Sequence, residues 1–248
     1  MMSSSEATPS PAQAPNGSGE MFDRIAPRYD LLNRIISFGI DQRWRRLTVK
    51  ALALPKSARV LDLATGTGDL AILLAQMHGD CTVVGLDPSQ RMLEIGRQKA
   101  ERVGLASRIT MQHGAAESLP FEDGSFDAVT VAFGIRNVPD RLRALREIQR
   151  VLVPGGRLGV LELSEPPSGL MGAAARLHVH HFVPWLGGVL SGVREYRYLQ
   201  QSIAAFPPAS EFVRLMEQAD LCTVHATPLT FGVCHLYVGS KSGQGVLR

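Results

Sequence analysis

The chain has 248 residues, of which 45% are hydrophobic, so it is long enough to bury one substantial core. Its net charge of +3, from 26 lysines and arginines against 23 aspartates and glutamates, is too small to indicate a nucleic-acid-binding protein. Its three cysteines are odd in number and lack metal-type spacing, which argues against a disulfide framework and fits a reducing cytoplasm. We expect one domain over residues 21–248.

Residues 1–20 are rich in Ser, Ala, Pro and Gly and contain no apolar stretch, which predicts a disordered tail. They also contain no Lys or Arg, and this absence argues against a secretory signal peptide and a mitochondrial transit peptide. The sequence has no run of about 18 apolar residues, the length that indicates a membrane-spanning helix. We therefore expect a cytoplasmic protein of bacterial type.

Apolar spacing then predicts two short helices between residues 21 and 53, with Gly39 between them. Arg43, Arg45 and Arg46 fall in the second helix, where such charges usually form a solvated face. The rest of the chain alternates strands and helices around an insertion over about 165–206. This alternation predicts an α/β fold, a doubly wound and mostly parallel sheet of seven strands. We expect strands near 59–63, 82–87, 109–113, 126–132, 157–163, 222–228 and 233–240, and helices near 69–78, 89–103, 140–152 and 208–219.

The carboxyl ends of the predicted parallel strands collect polar and small residues on one rim. Asp62 and Asp87 end the first two strands, the turn 114–116 follows the third, and Ala132 ends the fourth. Ligands of open α/β sheets bind at this rim. The insertion on the same side predicts a lid or a substrate pocket.

A glycine loop follows the first strand and discriminates between two cofactors. Gly66-x-Gly68-x-x-Ala71, with Asp87 about 20 residues downstream, formally fits the dinucleotide fingerprint. However, Asp62 and Asp69 flank the loop, and their carboxylates would repel a pyrophosphate placed against the helix N-terminus. A ligand with an ammonium, a sulfonium and a ribose diol would be attracted instead. The loop therefore favours S-adenosylmethionine over NAD.

Several motifs together resemble the ubiquinone/menaquinone biosynthesis C-methyltransferases, a family of class I methyltransferases that use S-adenosylmethionine. The resemblance extends from Met21 to about Lys241. The glycine loop and the Val153-Pro-Gly-Gly-Arg-Leu segment indicate only a generic methyltransferase. Phe133-Gly-Ile-Arg-Asn-Val138 combined with Tyr29-Asp-x-x-Asn33 is far more selective.

The resemblance implies a cofactor site, residue by residue. Thr67 and the backbone of Gly66 and Gly68 are assigned to the methionine portion of S-adenosylmethionine, and Asp87 to the ribose. Ala115 and Ala116 occupy the turn that faces adenine. Family members usually carry Asp or Asn where this chain has Ala115, and losing that acceptor is expected to cost about 1 kcal/mol of binding. Asp62 and Ala132 complete the predicted set of cofactor-binding residues.

The implied reaction is methylation of a ring carbon of a prenylated quinol. Thr230-Phe-Gly-Val and Asn137-Val-Pro-Asp140 resemble the family members dedicated to menaquinone, and this resemblance favours demethylmenaquinol over the ubiquinone precursor. Another small phenolic or sterol-like acceptor, and a non-catalytic module that binds S-adenosylmethionine or NAD, are the alternatives.

Arg136 and Asn137 are the candidates for binding the quinol oxygens, because an arginine stabilises a developing phenolate. The alternative for Arg136 is a structural pairing with a nearby carboxylate. Tyr29 is a candidate for the ring wall near the methyl group, or part of a helix that only covers the sheet edge. His178, His180 and His181 lack the partners of a metal site, so we expect no metal, but one of them is a candidate proton acceptor.

The segment 182–190 is the most apolar part of the insertion. Ordinary core packing explains such a segment, but a prenyl tail also has to be kept out of water. Peripheral membrane contact through this segment is therefore a hypothesis. Assembly into a homo-oligomer stays open.

Overall fold

The structure, a computed structural model, describes residues 39–165 and 193–243 together with Asp23, Ala26, Asp30, Arg34 and Ser37; the side chains of residues 193–197 are outside this description. Seven strands form one sheet in the order β3-β2-β1-β4-β5-β7-β6. Neighbours from β3 to β5 are parallel, whereas β7 is antiparallel to both β5 and β6. The predicted fold class is confirmed. The strands are β1 Arg59–Leu63, β2 Thr82–Asp87, β3 Ile109–His113, β4 Phe126–Ala132, β5 Leu152–Leu163, β6 Leu221–Leu229 and β7 Cys234–Lys241.

Helices cover both faces of this sheet. Those in the described residues are α1 Asp41–Ala51, α2 Asp69–Met77, α3 Gln90–Arg102, α4 Arg141–Val151, α5 Val193–Ala204 and α6 Ala209–Gln218. Side-chain caps begin two of them: the Ser89 hydroxyl accepts from the Met92 N–H at 3.1 Å, and Asp140 accepts from the Arg143 N–H at 2.9 Å. The helix α5 lies within the predicted insertion, whose residues 166–192 are outside the described part.

The largest difference from the sequence prediction is the start of β5. We expected it near residue 157, but the strand begins at Leu152. Leu152 pairs with Phe126, and the register then shifts before Arg157 pairs with Ala128. The Pro154-Gly155-Gly156 segment therefore lies inside a bulged strand, not in a loop before it.

Two apolar clusters fix the sheet between its helices. One packs α4 and α6 against the sheet around Phe126, Phe212 and Tyr237. The other packs α1, α2 and α3 against the opposite face, where α2 is buried over Leu70–Ala75. Because β1, β2 and β4 are parallel, their carboxyl ends lie at the same edge of the sheet. The loops that follow them therefore meet at this carboxyl rim.

Candidate active site

A pocket opens at the rim between the loops that follow β1 and β4. The space between these loops, part of which is open solvent, is about 320 Å³. Its lining combines the predicted glycine loop with side chains from the N-terminal region and α1. The lining residues are Asp30, Arg45, Asp62, Ala64, Thr65, Gly66, Thr67, Asp69, Leu70 and Ala132.

Asp62, at the end of β1, is the most buried carboxylate of this pocket, with 1% of its surface exposed. It accepts hydrogen bonds from the hydroxyls of Thr65, at 2.6 Å, and Thr130, at 2.7 Å. Burial raises the pKa of Asp62 to about 6, against the opposing effects of these bonds and of the Arg45 charge. The carboxyl group is therefore mostly ionised at neutral pH.

Asp87, at the end of β2, holds the glycine loop in place. One carboxylate oxygen accepts from the Gly66 N–H and the other from the Ser89 N–H, both at 2.9 Å. Burial raises the pKa of this group, and the two N–H donors oppose that shift. Each oxygen keeps a further lone pair, so the carboxylate is able to accept from a diol as well.

The glycine loop is shaped by close packing. Gly66 and Gly68 have φ values of +56° and +80°, in the left-handed region that favours glycine. A Cβ at Gly68 would also lie 2.5 Å from the Met111 side chain. The loop therefore lies close to β3 and presents its backbone toward the pocket.

The negative charge of Asp69, which was expected to face the ligand unpaired, is offset by an ion pair with Lys99. Lys99 of α3 pairs with Asp69 and, at 2.8 Å, with Asp30, and it contacts the Thr67 hydroxyl at 3.2 Å. Thr67 in turn donates to Asp30 at 2.5 Å. Asp69 is thus offset by a lysine that is 30 residues away in the chain. The negative character of the pocket now depends on Asp62 and Asp30 as well.

The turn after β3 contains the two predicted adenine-facing residues. Ala116 packs into the core cluster with 8% exposure, whereas Ala115 is exposed. The Gly114 N–H donates to the Asp87 carbonyl at 3.2 Å, which places this turn beside the predicted ribose-binding residue.

Arg136 lies on the other side of the rim, in the 3₁₀ turn Ile135–Asn137 after β4. Its Nη1 donates to the Glu162 carboxylate at 2.8 Å and to the Phe133 carbonyl at 2.5 Å, and its Nε donates to the Ser202 hydroxyl at 3.3 Å. Glu162 is fully buried. The structural pairing considered for Arg136 is therefore present.

Asn137 contacts α5, the helix that also binds Arg136 through Ser202. Its Oδ1 accepts from the Tyr198 hydroxyl at 3.1 Å, which joins the loop after β4 to α5. In the described part of the chain, neither Arg136 nor Asn137 belongs to the pocket lining. Tyr29 and the three histidines of the insertion lie outside the described residues.

Arg45 was expected on a solvated helix face, and this prediction was wrong. The structure buries it to 7% exposure in the pocket wall. A signal was present, because the buried residues of α1 are Asp41, Trp44, Arg45, Thr48 and Val49, a spacing that defines one helix face. The role of Lys99 in the site was not predicted, because its partners Asp30 and Asp69 lie far from it in the sequence.

Within residues 39–165 and 193–243 and the five isolated positions, no cluster of three or more His, Cys, Asp or Glu is placed to hold a metal ion. The same part of the chain has no helix that is long and apolar enough to cross a membrane. The three cysteines are all free thiols.

Comparison with known proteins identifies the family. The model of the ubiE/COQ5 methyltransferase family matches residues 12–241. A demethylmenaquinone methyltransferase of Thermus thermophilus is 51% identical over 223 residues, which cover 89% of this chain and 100% of that protein. A ubiquinone/menaquinone biosynthesis C-methyltransferase UbiE of Syntrophotalea carbinolica is 47% identical, over 91% of this chain and 94% of its own.

Solved structures agree on the fold. The [4+2]-cyclase SpnF is similar with a TM-score of 0.66 at 19% identity, covering 91% of this chain and 95% of its own. A SAM-dependent methyltransferase of Thermotoga maritima has a TM-score of 0.62 at 23% identity, covering 90% and 99%. The resemblance drawn from the sequence motifs is confirmed: this chain belongs to the ubiE/COQ5 methyltransferase family and is an S-adenosylmethionine-dependent methyltransferase.

Proposed function

We propose that this chain transfers a methyl group from S-adenosylmethionine to a ring carbon of a prenylated quinol, with demethylmenaquinol as the preferred acceptor. The observation that carries this proposal is the carboxylate-lined pocket on the glycine loop, in a chain 51% identical to a demethylmenaquinone methyltransferase over that protein's full length. The equivalent methylation in ubiquinone biosynthesis is the alternative, since other relatives are named for both pathways.

The pocket fits the charge of the cofactor. Asp30, Asp62 and Asp69 line it, while Arg45 and Lys99 contribute the nearby positive charges, so one negative charge is in excess. A cationic ligand is favoured there over a pyrophosphate. When bound, S-adenosylmethionine supplies an electrophilic methyl group. We assign its ammonium to Asp62, its methionine chain to Gly66, Thr67, Gly68 and Ala132, and its ribose to Asp87.

The adenine is assigned to the turn with Ala115 and Ala116. The exposed Ala115 has no side-chain oxygen to accept from the adenine amino group, so recognition falls to the backbone of the turn. We therefore propose weaker adenine selectivity than in family members with Asp or Asn at this position.

The acceptor is assigned to the side of the rim with Arg136 and Asn137, and Tyr29 is proposed as a ring wall. Only a reduced ring is electron-rich enough to attack a methyl group, and a phenolate oxygen activates the neighbouring carbon. Glu162 fixes the guanidinium of Arg136 before any substrate arrives, which is the arrangement that makes a hydrogen-bond donor effective. Because Glu162 also offsets its charge, Arg136 acts through directed hydrogen bonds more than through net charge.

The function is tested by methyl transfer from labelled S-adenosylmethionine to a short-tailed demethylmenaquinone, with and without chemical reduction. We expect label on a ring carbon, located by mass spectrometry, only under reducing conditions. A short-tailed benzoquinol precursor in competition reports the pathway preference. Binding of S-adenosylmethionine without any label transfer would contradict the acceptor assignment.

The pKa of Asp62 predicts a pH dependence of cofactor binding. As the pH falls through about 6, Asp62 becomes protonated and loses the charge that attracts the ammonium. Below that pH we expect the affinity for S-adenosylmethionine to fall by up to about tenfold per pH unit, measured by calorimetry between about pH 5 and 7, where α-amino groups stay protonated. The charged groups acting on Asp62 are Arg45 and Asp87.

The Asp62→Asn variant should bind more weakly at neutral pH and show no such fall. Glu94→Gln removes an exposed carboxylate of α3 and should retain the wild-type profile. A wild-type profile as flat as that of Asp62→Asn would contradict the assignment of Asp62.

Arg136 is tested with a variant pair, because its removal alone leaves Glu162 buried without a partner. We expect Arg136→Ala to lower the free energy of unfolding by about 3–5 kcal/mol. The double variant Arg136→Gln/Glu162→Gln replaces the ion pair by neutral amides and should recover most of that loss. Both should transfer methyl groups on the order of 10²-fold more slowly, and the double variant should bind S-adenosylmethionine as wild type does. Wild-type turnover in the double variant would remove Arg136 from the mechanism.

We also propose peripheral membrane contact at the rim, since the prenyl tail has to avoid water. Phe231, in the turn between β6 and β7, supports this: it is 65% exposed, the highest value among the large apolar side chains of the described residues. We also propose assembly into a homo-oligomer.

Co-sedimentation with liposomes tests the contact. A variant with Trp185→Ser and Leu186→Ser should sediment less than wild type. The control is Val103→Ser, which changes an apolar residue that is 48% exposed. Val103 follows the C-terminal end of α3, whereas the N-terminal end of that helix lies at the rim. No sedimentation of the wild type, or equal losses in both variants, would contradict the proposal.

A further inference from the structure

Arg45 is a buried cation in a pocket that we assign to a cationic cofactor. It lies on the inner face of α1, 7% exposed, and shares the pocket wall with Asp62. The neighbouring Arg43 and Arg46 are exposed. One arginine of the cluster is therefore placed inward, where burying a charge is costly unless it meets partners.

Arg45 forms a buried ion pair with Asp41, but its Nε has no hydrogen-bond acceptor within the described residues. Its Nε is 3.5 Å from an Asp41 oxygen, and no hydrogen bond to that nitrogen is formed in this part of the chain. Asp41 is itself shared, because it accepts from Ser37 at 2.9 Å and from Gln42 at 3.2 Å. The guanidinium stacks 5.2 Å from the centroid of the Phe133 ring, which orients it without satisfying its donors.

The charges in this wall match a zwitterion. Asp62 is held by two threonine hydroxyls, and Arg45 is held by Asp41 and Phe133, so two opposite charges are fixed separately in one pocket. An α-amino acid group carries an ammonium and a carboxylate on the same carbon. A planar guanidinium is suited to a carboxylate, which it binds through two parallel hydrogen bonds.

We propose that Arg45 binds the α-carboxylate of S-adenosylmethionine, next to the ammonium bound by Asp62. This inference rests on the proposed placement of the cofactor over the glycine loop. It makes α1 part of the cofactor site and assigns a ligand to a residue outside the glycine-loop motif. An acceptor oxyanion has similar chemistry, and the test separates the two.

The experiment compares two ligands by calorimetry: S-adenosylmethionine and its decarboxylated form, which keeps the ammonium and the sulfonium but lacks the carboxylate. We expect Arg45→Gln to weaken binding of S-adenosylmethionine by roughly ten- to a hundredfold and to leave the decarboxylated ligand within about twofold of wild type. Arg46→Gln, an exposed neighbour on the same helix, should change neither affinity.

Arg45→Lys is the control for a folding defect in Arg45→Gln. It keeps the buried positive charge and removes only the two parallel donors of the guanidinium. It should show an intermediate, ligand-selective loss. Equal losses for both ligands would overturn the proposal in favour of a structural role. Unchanged binding of S-adenosylmethionine with slower methyl transfer would overturn it in favour of the acceptor oxyanion. Failure of the wild type to bind either ligand would instead refute the proposed placement of the cofactor.

Discussion

The site depends first on the contact between the Asp87 carboxylate and the Gly66 N–H. This bond ties the loop that leaves β1 to the end of β2, and the second oxygen of Asp87 holds the N–H of Ser89, which caps α3. One carboxylate therefore positions the glycine loop, the second strand and a helix N-terminus together. Without it, Gly66 would leave a backbone donor near the pocket unpaired, and the left-handed loop would lose its anchor.

Around this anchor, most of the charge is compensated. Lys99 serves Asp30 and Asp69, and Arg136 serves Glu162. Two groups differ: Asp62 is held by hydroxyls, and Arg45 is held by an ion pair with Asp41 at 3.5 Å and by an aromatic face. The field that a ligand meets in the pocket therefore combines the separately held charges of Asp62 and Arg45 with the negative charge that a single lysine, Lys99, leaves uncompensated between Asp30 and Asp69. A ligand with separate positive and negative ends is the kind that such a field orients.

The sequence predicted the central strands well because each combines apolar and β-branched residues over five to seven positions between predicted helices or loops. The bounds of the first four strands matched the structure residue for residue. The strand β5 begins earlier than expected because Leu152 pairs with Phe126, a contact between residues far apart in the sequence. The glycine loop and Asp87 were equally predictable, since a motif defines them locally. Arg45 and Lys99 were not, because a charge on a predicted helix is assumed to be solvated until its neighbours in space are known.

The cofactor side and the acceptor side of the site differ in the same way, because one depends on a local motif and the other on contacts between distant residues. The cofactor side is built mainly from one continuous segment, residues 62–70, which supplies most of the pocket lining. The rest of the site depends on pairings across the chain: on the acceptor side, Asn137 with Tyr198, 61 residues apart, and, behind Arg45, Trp44 with Thr230, 186 residues apart. The second pair packs Trp44 near Phe133, 6.3 Å between ring centroids, beside the guanidinium of Arg45. Substitutions in the turn between β6 and β7 therefore reach the pocket wall through Trp44 and α1, without any change in the glycine loop.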